Sequence, residues 1–185
     1  MEPLRKIFWA FILLFFTLTF NNGEAKIVIV PAFVGYLIIL SQTRNLVNYS
    51  NYLKQVATPL IILSIFSAIS FLISLTGSVI GELQFFIGIF LMGVELWMYY
   101  LLLYGFRDIA QVFGFEFEGR QFIVLFPFFA ITRIVSWIFL LILPWISILA
   151  IFINLAVHIV FLVRLARFSK LNFQDPVANE APLSL

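Results

Sequence analysis

Long apolar runs, separated by short polar segments, make up most of this chain. The runs are continuously apolar rather than alternating, and in lipid only a helix or a closed barrel satisfies the backbone, so they predict membrane helices. Pro144 divides the last run, which is too long for one crossing at ~1.5 Å per residue. The expected fold is all-α: one transmembrane bundle over residues 1–170 and a polar cytoplasmic tail at 171–185. We predict six helices, at residues 4–20, 26–41, 57–80, 84–105, 121–143 and 145–165.

The first two apolar runs are short. Each has about 14 uninterrupted apolar residues, against the ~20 that a full crossing prefers. Two thin but complete spans, joined by a turn at residues 21–24, are the favoured interpretation, and a re-entrant or shallow hairpin is the second. A cleaved signal peptide is the third, because Arg5 and Lys6 form a basic start and Gly23 and Ala25 supply small residues for cleavage.

Positive charges orient the predicted bundle. With six spans, nine of the 11 Lys and Arg residues fall on one side of the membrane. The opposite side has Lys26, beside Glu24, and a turn that carries Glu82. Because basic residues concentrate in cytoplasmic segments, both termini are predicted to be cytoplasmic. The nine residues are Arg5, Lys6, Arg44, Lys54, Arg107, Arg120, Arg164, Arg167 and Lys170.

The composition agrees with a membrane protein and excludes several function classes. Hydrophobic residues make up 63% of the chain and charged residues 11%, whereas a soluble domain has about a quarter of its residues charged. The net charge of +2 comes from basic residues beside apolar runs, which indicates the lipid bilayer and not nucleic acid as a partner. The chain has no cysteine and one histidine, so neither a thiolate nucleophile nor a zinc site is expected, and no cofactor is predicted.

Three ionisable residues lie inside the predicted spans, close to mid-membrane. Glu95 is central in the fourth predicted helix and Arg133 in the fifth. His158 lies about a turn from the middle of the sixth, with Asn154 one turn before it on the same face. Charges at this depth are expensive and normally face the bundle interior or a partner. Consecutive antiparallel helices bring Glu95 and Arg133 to matching depth, so we predict an ion pair.

The role of this buried cluster has more than one interpretation. An ion pair that only fixes the register of two helices is favoured, and a pair that also lines a polar cavity for an ion, a proton or a small solute is the second. A third is an unpaired group that reaches water or a lipid headgroup. For His158 and Asn154, an interhelical hydrogen-bond pair is favoured over a proton relay. Thr132 and Ser136 flank Arg133 and are expected to complete its hydrogen bonds.

Small residues on two predicted helices indicate close packing. Ser70, Ser74 and Ser78 recur every four residues on the third helix, and Gly88 and Gly93 lie on the fourth. Small side chains at such spacings let membrane helices approach and hydrogen-bond. Helix packing is therefore favoured over a path for a solute.

The polar segments on the cytoplasmic side are predicted to lie at the membrane surface. The segment at 44–55 is expected to form an amphipathic interfacial helix, and the segment at 107–120 a solvated loop. The loop contains Asp108, Glu116 and Glu118, of which the last two are two residues apart; this spacing is generic, and no third metal ligand accompanies the two. The sequence also has no nucleophile motif and no phosphate-binding loop, so we expect no enzyme.

A short motif at the second apolar run consists of Pro31, Phe33, Gly35 and Tyr36. With it, the first quarter of the chain resembles the first helical hairpin of a group of uncharacterised small multi-pass membrane proteins from Firmicutes-type bacteria, although Ala32 stands where those proteins have Asp. The resemblance implies a bacterial inner-membrane protein and no known activity. Physically, Pro31 can start or kink a helix and Gly35 admits a close neighbour. A packing device is favoured over a ligand site at a broken helix.

Two functions follow as expectations, and an intramembrane enzyme is a distant third. The first is a non-catalytic membrane protein that acts through a membrane protein partner or as a homo-oligomer. The alternative is a small-solute or ion transporter, or the substrate-binding subunit of one, with its site at Glu95, Arg133, Asn154 and His158 and an unknown small-molecule ligand. Water access separates them, because a cavity at Glu95 favours transport and a dry, sealed pair favours assembly.

Overall fold

Helices form nearly all of the described chain. The computed structural model describes residues 1–15, 19–21, 26–28, 31–76, 83–142, 144–171 and 173. Two short strands, β1 (Thr19–Asn21) and β2 (Lys26–Val28), follow the first helix, and a 3-10 turn spans Val47–Tyr49. The helices are α1 (Glu2–Phe15), α2 (Ala32–Arg44), α3 (Asn51–Gln55), α4 (Ala57–Thr76), α5 (Leu83–Val112), α6 (Glu116–Ile142) and α7 (Pro144–Ser169).

Four of the described helices are long and apolar enough to cross a membrane. Their candidate spans are Asn51–Ile73, Phe86–Val112, Glu116–Ser136 and Ile148–Ser169. The described helices are compatible with the predicted all-α membrane bundle, and four of them match the longer predicted spans. Pro144 begins α7 as expected, because proline lacks the N–H that a helix interior needs and fits the first helical turn.

Six of the described helices form a closed ring. Contacts run from α1 to α2, from α2 to α4, and then through α5 and α6 to α7, which packs back against α1. Five large phenylalanines that are almost completely buried fill the interior toward one end of this ring. They are Phe106, Phe122, Phe129, Phe161 and Phe168.

The first hairpin differs from the six-helix prediction. Helix α1 has 14 residues and α2 has 13, so each reaches only ~20 Å at ~1.5 Å per residue, short of the ~30 Å hydrocarbon core. Residues predicted as the end of the first helix and the start of the second instead form β1 and β2, an antiparallel pair in which Phe20 faces Ile27. Two physical reasons account for this: Ile27 and Val28 are β-branched and favour strands, and Pro31 caps α2 so that the helix cannot extend backwards. Of the turn predicted at residues 21–24, residue 21 ends β1 and residues 22–24 lie outside the described residues.

The segments predicted to lie on the cytoplasmic side also differ from the prediction. Helix α5 continues to Val112 and α6 begins at Glu116, so the loop expected over 107–120 shrinks to a three-residue turn in which Gly114 takes a positive φ of 77°. The segment expected as one interfacial helix at 44–55 is divided into the end of α2, the 3-10 turn and α3. Two of its apolar side chains are buried in the bundle, Leu46 and Leu53, each 1% exposed.

Both ends of the described chain lie at one end of the bundle, which we call the basic end. The Met1 amino group lies 3.5 Å from the Ser169 carbonyl, and Arg164 donates to the carbonyl of Gln121 at the start of α6. Ser50, just before α3, donates to Asp108 near the end of α5 at 2.7 Å. All nine basic residues that oriented the predicted bundle belong to segments that end or begin here.

Candidate functional site

Glu95 and Arg133 form an ion pair in the middle of the ring. Glu95 stands 17 residues before the end of α5 at Val112, and Arg133 stands 17 residues after the start of α6 at Glu116. The tight turn between the two helices therefore places both side chains at the same depth, ~26 Å along each helix. Arg133 Nη2 donates to Glu95 Oε1 at 2.6 Å and to Oε2 at 2.7 Å. The structure thus brings together the two residues that the sequence predicted to pair.

Only one nitrogen of the Arg133 guanidinium contacts Glu95. Both carboxylate oxygens bind the same nitrogen, Nη2, instead of engaging two nitrogens in a fork. The Nε–H is buried and has no acceptor within the part of the chain that the structure describes. A buried donor without an acceptor costs about 1–3 kcal/mol, so this ion pair is incompletely satisfied.

A second hydrogen-bonded group lies beside the pair on α7. His158 Nδ1 is 2.8 Å from the backbone carbonyl of Asn154, which can only accept, so Nδ1 carries a proton. The Tyr99 hydroxyl lies 3.0 Å from His158 Nε2. It donates to this nitrogen when the imidazole is neutral, and the contact then ties α5 to α7. Asn154 links α7 to α6 through its side-chain oxygen, 3.2 Å from Thr132 Oγ1.

Thr132 and Ser136 do not take the positions predicted for them around Arg133. Their hydroxyls bond backbone carbonyls of the preceding turn in α6, Thr132 to Phe128 at 2.7 Å and Ser136 to Thr132 at 2.7 Å. This occurs because short hydroxyl side chains on a helix reach the i−4 carbonyl more easily than a neighbouring side chain. Thr132 contacts Asn154 instead of completing the hydrogen bonds of Arg133.

Two cavities of about 300 Å³ each meet at the ion pair. Both are lined by Ala32, Tyr36, Glu95 and Arg133. The first extends between α1, α5 and α7, and its wall includes Asn154 and His158 as well as several aromatic and aliphatic side chains. The second extends between α2, α4 and α5, with Ser67, Ser70 and Gly88 in its wall. The side chains of Arg133 and Glu95 are 31% and 20% exposed, because they face these spaces.

The residues predicted for helix packing have different surroundings. Pro31 caps α2, and a Cβ on Gly35 would lie 2.6 Å from Leu14 Cγ, so α1 and α2 approach closely there. Ser70 is exposed and lines the second cavity. The Ser74 side chain and all of Ser78 lie outside the described residues.

Two tyrosines at the site were not singled out as site residues by sequence reasoning. Tyr99 lies four residues after Glu95, hence on the same face of α5, and this spacing could have identified it. Tyr36 belongs to the hairpin motif, but only the ring closure of α1 and α2 brings it to the ion pair. Nothing in the spacing of the first helices signals that contact.

The described acidic residues that lie away from the two cavities do not form a metal site. Asp108 accepts hydrogen bonds from Ser50 and from its neighbour Arg107 at the basic end. Glu116 lies 3.8 Å from Arg120 on the exposed face of α6. The described residues contain no group of three His, Cys, Asp or Glu side chains that could hold a metal ion.

Comparison of the chain with protein-family models, with curated proteins and with solved structures gives no match. The resemblance of the first hairpin to small bacterial membrane proteins therefore stays a prediction. A function for this chain is therefore inferred from the geometry of the site.

Proposed function

We propose that this protein is a multi-pass membrane protein that binds a small solute inside its helix ring, as a transporter or as the substrate-binding subunit of one. The observation that carries the proposal is the position of the ion pair: Glu95 and Arg133 line two cavities inside the helix ring. An intramembrane ionisable residue normally marks a pathway or a binding site when it faces such a space.

The incomplete pairing of Arg133 supports the same function. A buried ion pair stabilises a fold only when its geometry is good and its remaining donors are satisfied. Here a single nitrogen carries both contacts and Nε–H has no acceptor among the described residues. An ion pair whose only role is to fix the register of two helices does not require a cavity on each side of it.

We propose the cytoplasmic (inner) membrane of a bacterium as the location, with both termini cytoplasmic. The concentration of basic residues at one end of the bundle supports this orientation. In this proposal α4 to α7 cross completely. The α1–α2 hairpin enters from the basic end and reaches the depth of the ion pair, since Phe15 and Ala32 at its inner end line the first cavity. A hairpin returns to its starting side, so the orientation of the termini does not depend on its depth.

A second candidate is a non-catalytic protein that acts by assembly with a membrane partner or with itself. The interhelical contacts of Tyr99 with His158 and of Thr132 with Asn154 favour it, because they hold three helices together without any ligand. No catalytic step is proposed for either candidate.

Native mass spectrometry of the protein purified in mild detergent tests the proposed function. We expect a small molecule bound to the wild type and absent from Glu95→Gln. The matched control is Glu116→Gln, which removes a carboxylate that is 67% exposed and far from the cavities along α6. This variant should keep the ligand. Spectra that show only lipid or a co-purifying protein in all three forms would favour the assembly candidate.

A further inference from the structure

The charge of the cavity walls limits what the site can hold. Among the described residues that line the two cavities, Glu95 and Arg133 carry the formal charges, and they cancel. His158 meets both of its hydrogen-bond partners as a neutral imidazole. A ligand with a net charge would therefore leave one charge uncompensated at mid-membrane, where charges are strongly disfavoured.

The ion pair can nevertheless be exchanged for contacts with a ligand. Arg133 would keep a charge-assisted partner if an anionic group of a ligand replaced Glu95, because only one of its nitrogens, Nη2, has to exchange its contacts. Glu95 would then need a new cation. A single molecule that carries both charges supplies both partners and keeps the site neutral.

We infer that the ligand is a small zwitterion, whose anionic group binds Arg133 and whose cationic group binds Glu95. This inference rests on the proposed function, because it names the ligand class of the same site. An amino acid and the headgroup of a zwitterionic phospholipid share this chemistry.

The first cavity indicates where the remainder of the ligand lies. Beyond the ion pair its wall is largely apolar, with Phe11 and Phe15 from α1, Met98 from α5, and Phe161 and Leu162 from α7. Its volume of about 300 Å³ is at the lower limit of the ~300–1,000 Å³ typical of ligand pockets. An apolar side chain or the first part of an acyl chain fits this wall, with the charged groups at the ion pair.

Binding to delipidated protein tests the inference with three probes of similar shape. Leucine carries both charges, 4-methylpentanoate only the negative one, and 3-methylbutylamine only the positive one. We expect leucine to bind at least about tenfold more tightly than either analogue. The Glu95→Gln/Arg133→Gln double variant removes both charges and keeps a polar amide at each position, and there the three dissociation constants should agree within about threefold. Its melting temperature reports that the fold is retained.

Phospholipid probes distinguish the two sources of a zwitterion. If the protein retains phosphatidylethanolamine in preference to phosphatidylglycerol, and this lipid prevents leucine from binding, the site holds a lipid headgroup. This result supports the inference. The inference is overturned if either singly charged analogue binds as tightly as leucine or more tightly. It is also overturned if neither leucine nor phosphatidylethanolamine binds. The proposed function itself fails only if no probe of any charge binds, so the two failures can be told apart.

Discussion

At the scale of single residues, the ion pair between Glu95 and Arg133 sets the chemistry of this molecule. Among the described residues that line the two cavities, Glu95 and Arg133 carry the formal charges. One nitrogen of the guanidinium, Nη2, makes the contact between them. Removing one partner from such a pair leaves an uncompensated charge, whereas replacing both with apolar groups is often neutral or stabilising. The pair therefore gives a sharp test by substitution.

Loss of Glu95 alone should destabilise the protein more than loss of the whole pair. We expect Glu95→Ala, and the size-matched Glu95→Leu, to lower the free energy of unfolding by about 3 kcal/mol because Arg133 remains charged and unpaired. The Glu95→Leu/Arg133→Leu double variant should be close to the wild type. Melting temperatures in one detergent measure this, and a double variant clearly less stable than either single variant would rule out the ion-pair account.

At the scale of helices and strands, the α1–α2 hairpin decides whether the site exists. It closes the ring between α7 and α4, and its inner end supplies Ala32 and Tyr36 to both cavities. The two helices approach closely at Gly35, where an added Cβ would meet Leu14 Cγ at 2.6 Å and the Ala10 carbonyl oxygen at 3.1 Å. The backbone oxygen cannot move away without shifting α1.

The substitution Gly35→Ala should therefore separate α1 from α2. We expect a loss of about 1–3 kcal/mol, the usual cost of overpacking, together with weaker ligand binding because Tyr36 moves with α2. Gly93→Ala is the matched control, since among the described residues no heavy atom lies within 4 Å of the added Cβ and alanine is the better helix former by about 1 kcal/mol. Equal melting temperatures for the two variants would show that the close approach carries no energy.

At the scale of the whole molecule, the arrangement is a six-helix ring with one basic end. Four long helices are apolar enough to cross a membrane, and the short helices α1 and α2 add a further wall to the ring. Lipid does not tolerate open strand edges. Among the described elements, β1 pairs with β2, and β2 packs against α4.

The orientation of the ring can be tested with single cysteines, because the natural chain has none. We expect Glu2→Cys, Glu116→Cys and Lys170→Cys to react with a membrane-impermeant maleimide only from the cytoplasmic side. Glu82→Cys, in the turn that the sequence assigns to the opposite side, should react only from outside. The physical reason is the retention of basic segments in the cytoplasm. Labelling of Glu2→Cys and Lys170→Cys from different sides would refute the shared location of the termini.

The sequence by itself determined the membrane class, the four long helices and the depth of the buried charges. These follow from local properties: the length of an apolar run, the position of Pro144 and the spacing of Glu95 and Arg133 along consecutive helices. The sequence predicted helix ends less accurately: β1 and β2 lie partly where helix was predicted, and α5 continues beyond its predicted end to Val112. Strand pairing and helix extension depend on neighbours in space that a single run does not reveal.

The tertiary structure alone decided that the buried charges face open space. Apolar helices pack without a directional signal in their sequence, so nothing in α1 or α2 indicated that they would close a ring against α7 and α4. That closure places Tyr36 beside the ion pair and leaves a cavity on each side of it. Cavities arise from the mismatch of several surfaces at once, which is why they appear only when all the helices are in place.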